Sequence, residues 1–438
     1  MKKITKKKSL VLYGCSGLGV NMLNLIVGSY LCSALLVGGF EAHVEHWTYL
    51  NKDLVVAGLW GALIVAAKIV DGLIDLPLSH FVDNLKCKFG KRKTGIVIGY
   101  IPMIIAYLLF LVPVNSEKTL LNTIWFGVVL MVFYTAYTLT MITYYATFAE
   151  ITEKKEDIVL ISNAKSICDV VYFSLGYALV PAFVSMSFNI RIVALMFLPL
   201  SLTMLIPLFL LKENDEEAKA AKTEDKEKVN LAQSVLFTLK DKPYVYWLCV
   251  LFVMNIGLQL FLSGINEYFS TEGLNMTFIM ASCFVPVPLT ILLYNKFVRT
   301  KGLGFAYRYI LVVYSIGMGL MGLSRFVPSS IIYPFAIGCS LIVSFAIGSF
   351  FSVTYTVPSY RAAARKDGKG KASSMYFAIQ GLFEGASAGL ASGVILVFLK
   401  QNGYVPYLTV IVAVVCMIAF AMSFFLPKAI TQIGKNEE

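Results

Sequence analysis

Twelve runs of mostly apolar residues, each long enough to cross a bilayer as a helix, leave this chain few folds to choose from. They fall at 10–38, 54–82, 94–113, 120–148, 158–184, 190–211, 243–268, 274–297, 305–326, 329–356, 371–399 and 404–427. In hydrocarbon every backbone amide must be satisfied within its own segment, so runs of this length become helices and the helices must bundle. The chain is 58% hydrophobic and only 14% charged, too apolar for a soluble domain to bury. The expected fold class is an all-α membrane protein with twelve transmembrane helices. The one long polar interruption, KENDEEAKAAKTEDKEKVNLAQ from Lys212, has mixed charge and no apolar period, as suits a solvated linker. The expected organisation is a six-helix half at 1–211, a cytoplasmic linker at 212–242, a second six-helix half at 243–427 and a cytoplasmic tail at 428–438.

The net charge of +11 lies in short clusters between the apolar runs, where lipid headgroups read it, rather than in a patch suited to nucleic acid. With the N-terminus in the cytoplasm, that side collects MKKITKKK, KCKFGKRK, the linker, the stretch Lys296 to Arg308, RAAARKDGKGK and the tail. The other side keeps only Lys52, Lys118, Arg191, Arg325 and Lys400, so both termini are expected inside. The eight cysteines show no paired spacing, and neither a disulfide framework nor a zinc site is indicated. The first run is too long for a signal-peptide core and lacks a cleavage site in the right place. The external segment GGFEAHVEHWTYLNKD carries His43 and His46; their three-residue spacing is a weak metal or pH signal, and an exposed loop is the expectation.

Inside the second run, Lys68, Asp71 and Asp75 are spaced i, i+3 and i+7, which sets them on one stripe of a helix. Each such group near the bilayer centre costs about 2.5–3.5 kcal/mol on insertion scales, so the stripe should face the bundle interior and pair with opposite charge. Lys68 neutralises one carboxylate, and the other wants a cation that Na⁺ or H⁺ would supply. The alternative is a structural Lys68–Asp71 pair with Asp75 permanently protonated. Other polar residues fall at matching depth: Asn21 and Asn24, Lys165 and Asp169, Asn255 and Gln259, Gln380 and Glu384. Lys165 and Asp169, four apart, share a helix face and could simply pair with each other, and each amide alone could be interhelical glue. Their convergence from both halves on one level is what a solute site between two repeats requires.

The KxxDxxxD pattern at Lys68, Asp71 and Asp75 is followed by Ser79, Asp83, Lys86, Lys88 and the Gly90-Lys91-Arg92-Lys93 close. It resembles the signature joining helices 2 and 3 of the glycoside-pentoside-hexuronide:cation symporters, the melibiose permease group of the major facilitator superfamily. YGCSGLG, AYTLTMITYYATFAEIT and SSMYFAIQGLFEG extend the resemblance over nearly the whole chain. It implies the major facilitator fold of two six-helix halves. It also implies that Asp71, Asp75 and Thr138 bind the coupling cation, that Lys68 stands for the family's arginine, and that Tyr145 and Lys165 reach the substrate. Asp83, Lys91 and Arg92 would form the cytoplasmic gate.

The departures are as specific. Asn21 and Met141 stand where the sugar-binding carboxylates fall, Gly385 beside Glu384 replaces a lysine, Pro77 is displaced, and PSYRAAARKDG replaces an acidic turn. A site built to hydrogen-bond hydroxyls loses discrimination when those partners go. Asp169 and Glu384 are candidates to restore carboxylates, with Asn21, Asn255, Gln259 and Gln380 lining the rest of the cavity. The expected function is a secondary active transporter, not an enzyme: a symporter coupling Na⁺ or H⁺ to a small solute, a glycoside or other sugar, by alternating access. A carrier of an amphiphilic or anionic organic solute is the alternative, and a non-transporting membrane receptor a more distant one. The expected partners are the solute, the cation and membrane lipid, with no cofactor and no nucleic acid, in a monomer at the plasma membrane.

Overall fold

The computed structural model describes residues 4–41, 43–83, 90–148, 151, 155–211, 235–236, 238–364 and 373–435. Among these the regular structure is helical, with no strand. Twelve helices are long and apolar enough to cross a membrane. They are α1 (Lys7–Leu35), α2 (Ala57–Asp83), α3 (Lys91–Phe110), α4 (Leu120–Ala146), α5 (Lys155–Ser185), α6 (Ile190–Leu210), α7 (Lys242–Thr271), α8 (Met276–Lys301), α9 (Leu303–Phe326), α10 (Ile332–Ala364), α11 (Met375–Asn402) and α12 (Val405–Ser423). In α2, α5 and α10 the apolar spans are shorter than the helices: Ala57–Ile74, Ile167–Ser185 and Ile332–Phe350. The expected runs are all present, the first beginning at Lys7 rather than 10 and the last ending at Ser423 rather than 427.

Local chemistry explains several boundaries. The side chains of Thr119, Asn189 and Asn275 accept hydrogen bonds from Asn122, Arg191 and Thr277 amides and so cap the starts of α4, α6 and α8. Gly90, which opens α3, has φ of +91°, a conformation costly for any residue with a β-carbon. Pro77 sits inside α2, where it removes one helical hydrogen bond just past Asp75.

The chain divides into two compact units. The first comprises Met1–Val37, Glu45–Trp60 and Leu73–Glu227. Within it α1 is held by α4, α5 and α6: the Tyr144 hydroxyl donates to the carbonyls of Tyr13 and Gly14 at 2.6 and 2.8 Å. A β-carbon on Gly19 would stand 1.8 Å from the Leu200 carbonyl oxygen, so that contact admits only glycine. The segment after α1 was expected to be an exposed loop. It instead carries a helical turn, Val44–Trp47, with Trp47 stacked on Tyr30 at 6.0 Å and the Tyr49 hydroxyl donating to the Phe110 carbonyl at 2.9 Å. Aromatic burial pins it; His43 remains exposed, and His46 lies 3.2 Å from Glu45.

The second unit comprises Gly38–Val44, Gly61–Gly72 and Lys228–Glu438, with α7 near its centre. Helix α2 thus contributes residues 61–72 to this unit and its remaining residues to the first. The tail holds a short helix, Lys428–Thr431, whose fully buried Ile430 and nearby Ile433 dock it against the α8–α9 connection. There the Leu303 amide donates to the Ile433 carbonyl at 3.0 Å, and Gly302 and Gly304 leave room for Thr431. Most of the linker, 212–234, lies outside the described residues.

Candidate functional site

The polar residues singled out in the sequence fall into clusters within each unit. In the first, Lys165 and Asp169 form an ion pair one turn apart on α5, both partly buried. The Lys165 ammonium also lies 5.4 Å from the centre of the Tyr145 ring, a cation–π contact from α4. Charge, carboxylate and aromatic ring are therefore assembled in one place. Asn21 on α1 is buried and accepts a hydrogen bond from the Tyr137 hydroxyl at 2.9 Å. Thr138 and Met141 are both buried on α4. The Oδ1 atom of Asn24 is buried with no hydrogen-bond donor among the described residues.

Asp75 and Asp83 lie on the described backbone of α2, in the first unit, but their side chains are outside the described residues, as are Lys86 and Lys88 altogether. Arg92, in the first turn of α3, is buried and partnered; Lys91 is half-buried.

In the second unit, Lys68 and Asp71 are half-buried on α2 and each has an interaction partner. Their helix runs against α11 along a seam of glycines. Gly381, Gly385, Gly389 and Gly393 repeat every fourth residue and so occupy one face. A β-carbon on Gly385 would lie 2.5 Å from the Lys68 carbonyl oxygen, one on Gly389 3.0 Å from the Val65 Cα, and one on Gly393 2.4 Å from the Gly61 carbonyl oxygen. From the other side, Gly61 and Gly72 would meet the carbonyls of Gly393 and Gly381 at 2.0 and 2.8 Å. In lipid, small residues let helix backbones approach in this way, where dispersion and weak polar contacts replace the hydrophobic effect.

Glu384, next to Gly385, is half-buried; its Oε1 accepts from the Gln380 amide at 2.9 Å. Among the described residues no cation pairs with it. Gln380 is fixed in turn by the Trp247 indole, which donates to its Oε1 at 3.2 Å, and donates to the Thr354 carbonyl at 2.5 Å. Asn255 on α7 donates to the Glu384 carbonyl at 3.0 Å and to the Ser387 hydroxyl at 2.7 Å, tying α7 to α11. Gln259 is half-buried on α7. Gln380 and Asn255 are thus committed to helix–helix contacts, while the Glu384 carboxylate keeps acceptor capacity.

Two buried ion pairs were not anticipated. Lys400 was read as an external loop residue, yet its ammonium lies 2.9 Å from Glu267 with both side chains almost wholly buried. Arg361 makes a forked contact to Asp241, with nitrogen–oxygen distances of 2.7 to 3.0 Å, and Tyr376 adds a hydroxyl to Asp241 at 3.0 Å. Asp241, Arg361 and Lys400 lie just outside the apolar runs, where sequence alone assigns them to loops, and Glu267 lies at the last turn of its run.

Twelve helices long and apolar enough to cross a membrane, several of them burying charged and amide side chains, mark a multi-pass membrane protein. The chain belongs to the MFS/sugar transport protein family, within the major facilitator superfamily, whose model matches residues 12–426. Its members are transporters and not enzymes. Among curated proteins, none matches the chain in sequence. Solved structures share the fold at low identity. A substituted form of the nucleoside transporter NupG is 14% identical with a TM-score of 0.67, covering 96% of this chain and 99% of that one. A D-xylose-proton symporter is 17% identical with a TM-score of 0.60, covering 98% and 99%. The E. coli fucose:proton symporter FucP is 13% identical with a TM-score of 0.51, covering 96% and 98%.

Proposed function

We propose that the protein is a melibiose-permease-like symporter that couples Na⁺ or H⁺ to the uptake of a glycoside or other small sugar, by alternating access in the plasma membrane with both termini cytoplasmic. The observation that carries this reading is the half-buried Lys68–Asp71 stripe on α2, seated along the glycine seam of α11 next to Glu384. Intramembrane charges are costly and are kept where a cation or solute uses them. One lysine cannot neutralise both Asp71 and Asp75, so a bound cation relieves the excess negative charge and lets the loaded carrier change state. Thr138 supplies a further oxygen, which Na⁺ would need and H⁺ would not. Asn21, Tyr145, Lys165 and Asp169 in the first unit and Gln259 and Glu384 in the second are the proposed solute contacts, with Asn255 and Gln380 holding the helices around Glu384 and with Asp83, Lys91 and Arg92 as the proposed cytoplasmic gate. Similar folds include proteins named as xylose:proton and fucose:proton symporters, which supports a sugar as cargo.

An amphiphilic or anionic organic solute is the second reading. It is favoured by the Lys165 ammonium facing the Tyr145 ring and by the buried, apolar Met141. A thermal-shift screen of the purified protein against sugars, organic acids and lysolipids, with and without Na⁺, tests both. Ligands that bind only the folded state raise the melting temperature by mass action. A sugar whose shift grows with Na⁺ or with acid pH supports the first reading; a shift confined to acids or lysolipids overturns it.

A further inference from the structure

Between α1 and α2 the chain runs through Gly38, Gly39, Phe40 and Glu41, which belong to the second unit together with the ends of α7 and α11. Five contacts hold this segment there. The Glu41 amide donates to the Ser270 hydroxyl at 3.2 Å, and the Thr271 hydroxyl donates to the Gly39 carbonyl at 2.8 Å. A β-carbon on Gly38 would stand 2.8 Å from the Lys400 carbonyl oxygen. Gly39, with φ of +91°, presses on Glu267, whose Cβ and Cγ would be 3.1 and 3.2 Å from a β-carbon there. The Phe40 ring is buried and covers the Lys400 ammonium, 4.8 Å from its centre. The double glycine is what allows the backbone to lie this close.

Beneath the segment lies the Glu267–Lys400 pair, with side-chain exposures of 0% and 3%. Its geometry is not that of a fully satisfied structural pair. Glu267 Oε1 takes the ammonium at 2.9 Å, but Oε2 is buried with no hydrogen-bond donor among the described residues. A buried pair is weak evidence for stability, because desolvation offsets its attraction, and a lone partner left behind is costly. Such a pair is better suited to specifying one of two arrangements than to adding free energy.

We propose that Gly38–Glu41 is a strap closing the face of the second unit on which α7 and α11 end, and that Glu267 and Lys400 are the latch beneath it. The pair joins α7 to α11 while the strap covers it; lifting the strap wets the pair, which then separates at little cost, and α7 and α11 are free to part. This rests on the alternating-access reading, but on neither the identity of the solute nor that of the cation.

The test is hydrogen–deuterium exchange of the purified full-length protein in lipid nanodiscs, followed in peptides covering 36–44 and 262–271, with a peptide from α3 as reference. Glu267→Gln and Lys400→Met each break the latch, and Gly39→Val pries the strap off while leaving both charges in the chain. The expected result is at least tenfold faster exchange in both strap and latch peptides for every variant that folds, with the α3 reference unchanged. Unchanged exchange at 36–44 in all of them overturns the proposal. So does acceleration that includes the α3 reference, since the pair is then a general stability element. The readout needs no substrate, so a failed uptake assay bears on the transport reading and leaves the strap to be judged by exchange.

Discussion

The backbone of Gly385 on α11 lies so close to that of Lys68 on α2 that a β-carbon at Gly385 would stand 2.5 Å from the Lys68 carbonyl oxygen. The obstructing atom belongs to the backbone and cannot swing aside as a side chain would. Gly385→Ala should therefore force the two helices apart, at a cost typical of overpacking, about 1–3 kcal/mol, and displace Lys68 and Asp71 along with α2. Uptake should fall at least tenfold, with a lower melting temperature in detergent. Gly58→Ala in α2, where nothing lies within 4 Å of a β-carbon, should leave both unchanged and serves as the control.

The two carboxylates of α2 have separable consequences under the proposed coupling. Asp75→Asn removes the excess negative charge for good, so a carrier no longer needs the cation to change state. Cation-driven accumulation should be abolished while counterflow exchange of solute persists. Concentrative uptake at the wild-type level by this variant would sink the assignment. Asp71→Asn should additionally strand Lys68 without a carboxylate on its own turn, and so lower the yield of folded protein.

Asp169 discriminates between the two solute classes, because it both offers a carboxylate and neutralises Lys165 beside Tyr145. If the solute is a glycoside, Asp169→Asn loses an acceptor for hydroxyls and should weaken binding of a sugar about tenfold or more, as sites built for hydroxyl groups do. If the solute is an organic anion, the same change releases Lys165 and should tighten binding. A titration of the variant with one galactoside and one dicarboxylate, read by thermal shift, separates the cases.

Glu272, just beyond the end of α7, provides a pH-dependent stability effect. Burial raises its pKa above the usual value of 4.5, with the Arg325 guanidinium pulling it back and Glu41 pushing it further up. A carboxyl raised in the folded state binds its proton more tightly there than in the unfolded chain. Its contribution to stability is present at acid pH and is lost as pH climbs through the raised value. Glu272→Gln should flatten the decline of melting temperature as pH rises above the ordinary carboxylate value of 4.5, the side set by that direction of shift.

The fold was legible because hydrocarbon imposes one rule on every span, and twelve long apolar runs satisfy it in one way. The Lys68–Asp71–Asp75 stripe was legible for the same reason: charge in a membrane helix stands out against its surroundings. Glu267, Lys400, Asp241 and Arg361 did not stand out, since a charge at the end of an apolar run has solvent as its default environment. Their burial depends on which helix ends meet, which periodicity within one helix cannot reveal. The glycines of α11 were in plain view at four-residue spacing, but a small-residue face names no partner helix. His43 is exposed, whereas Trp47 and Tyr49 close by bury themselves, because aromatic rings at a loop take whatever apolar surface is near.

The Asp241–Arg361 pair gives the remaining prediction. It closes one end of the second unit, joining the start of α7 to the end of α10, and Tyr376 of α11 completes the shell around the carboxylate. With 2% and 13% of the two side chains exposed, little solvent screens the interaction. Removing one partner of such a pair leaves the other charge buried, which costs about 3–5 kcal/mol. Arg361→Met should therefore lower the stability of the purified protein more than any loop substitution, whereas Arg361→Lys keeps the charge but loses the fork and should fall between. Chemical denaturation in a mild detergent measures all three. If Arg361→Lys matches wild type, the forked geometry contributes nothing and a point charge at that position suffices.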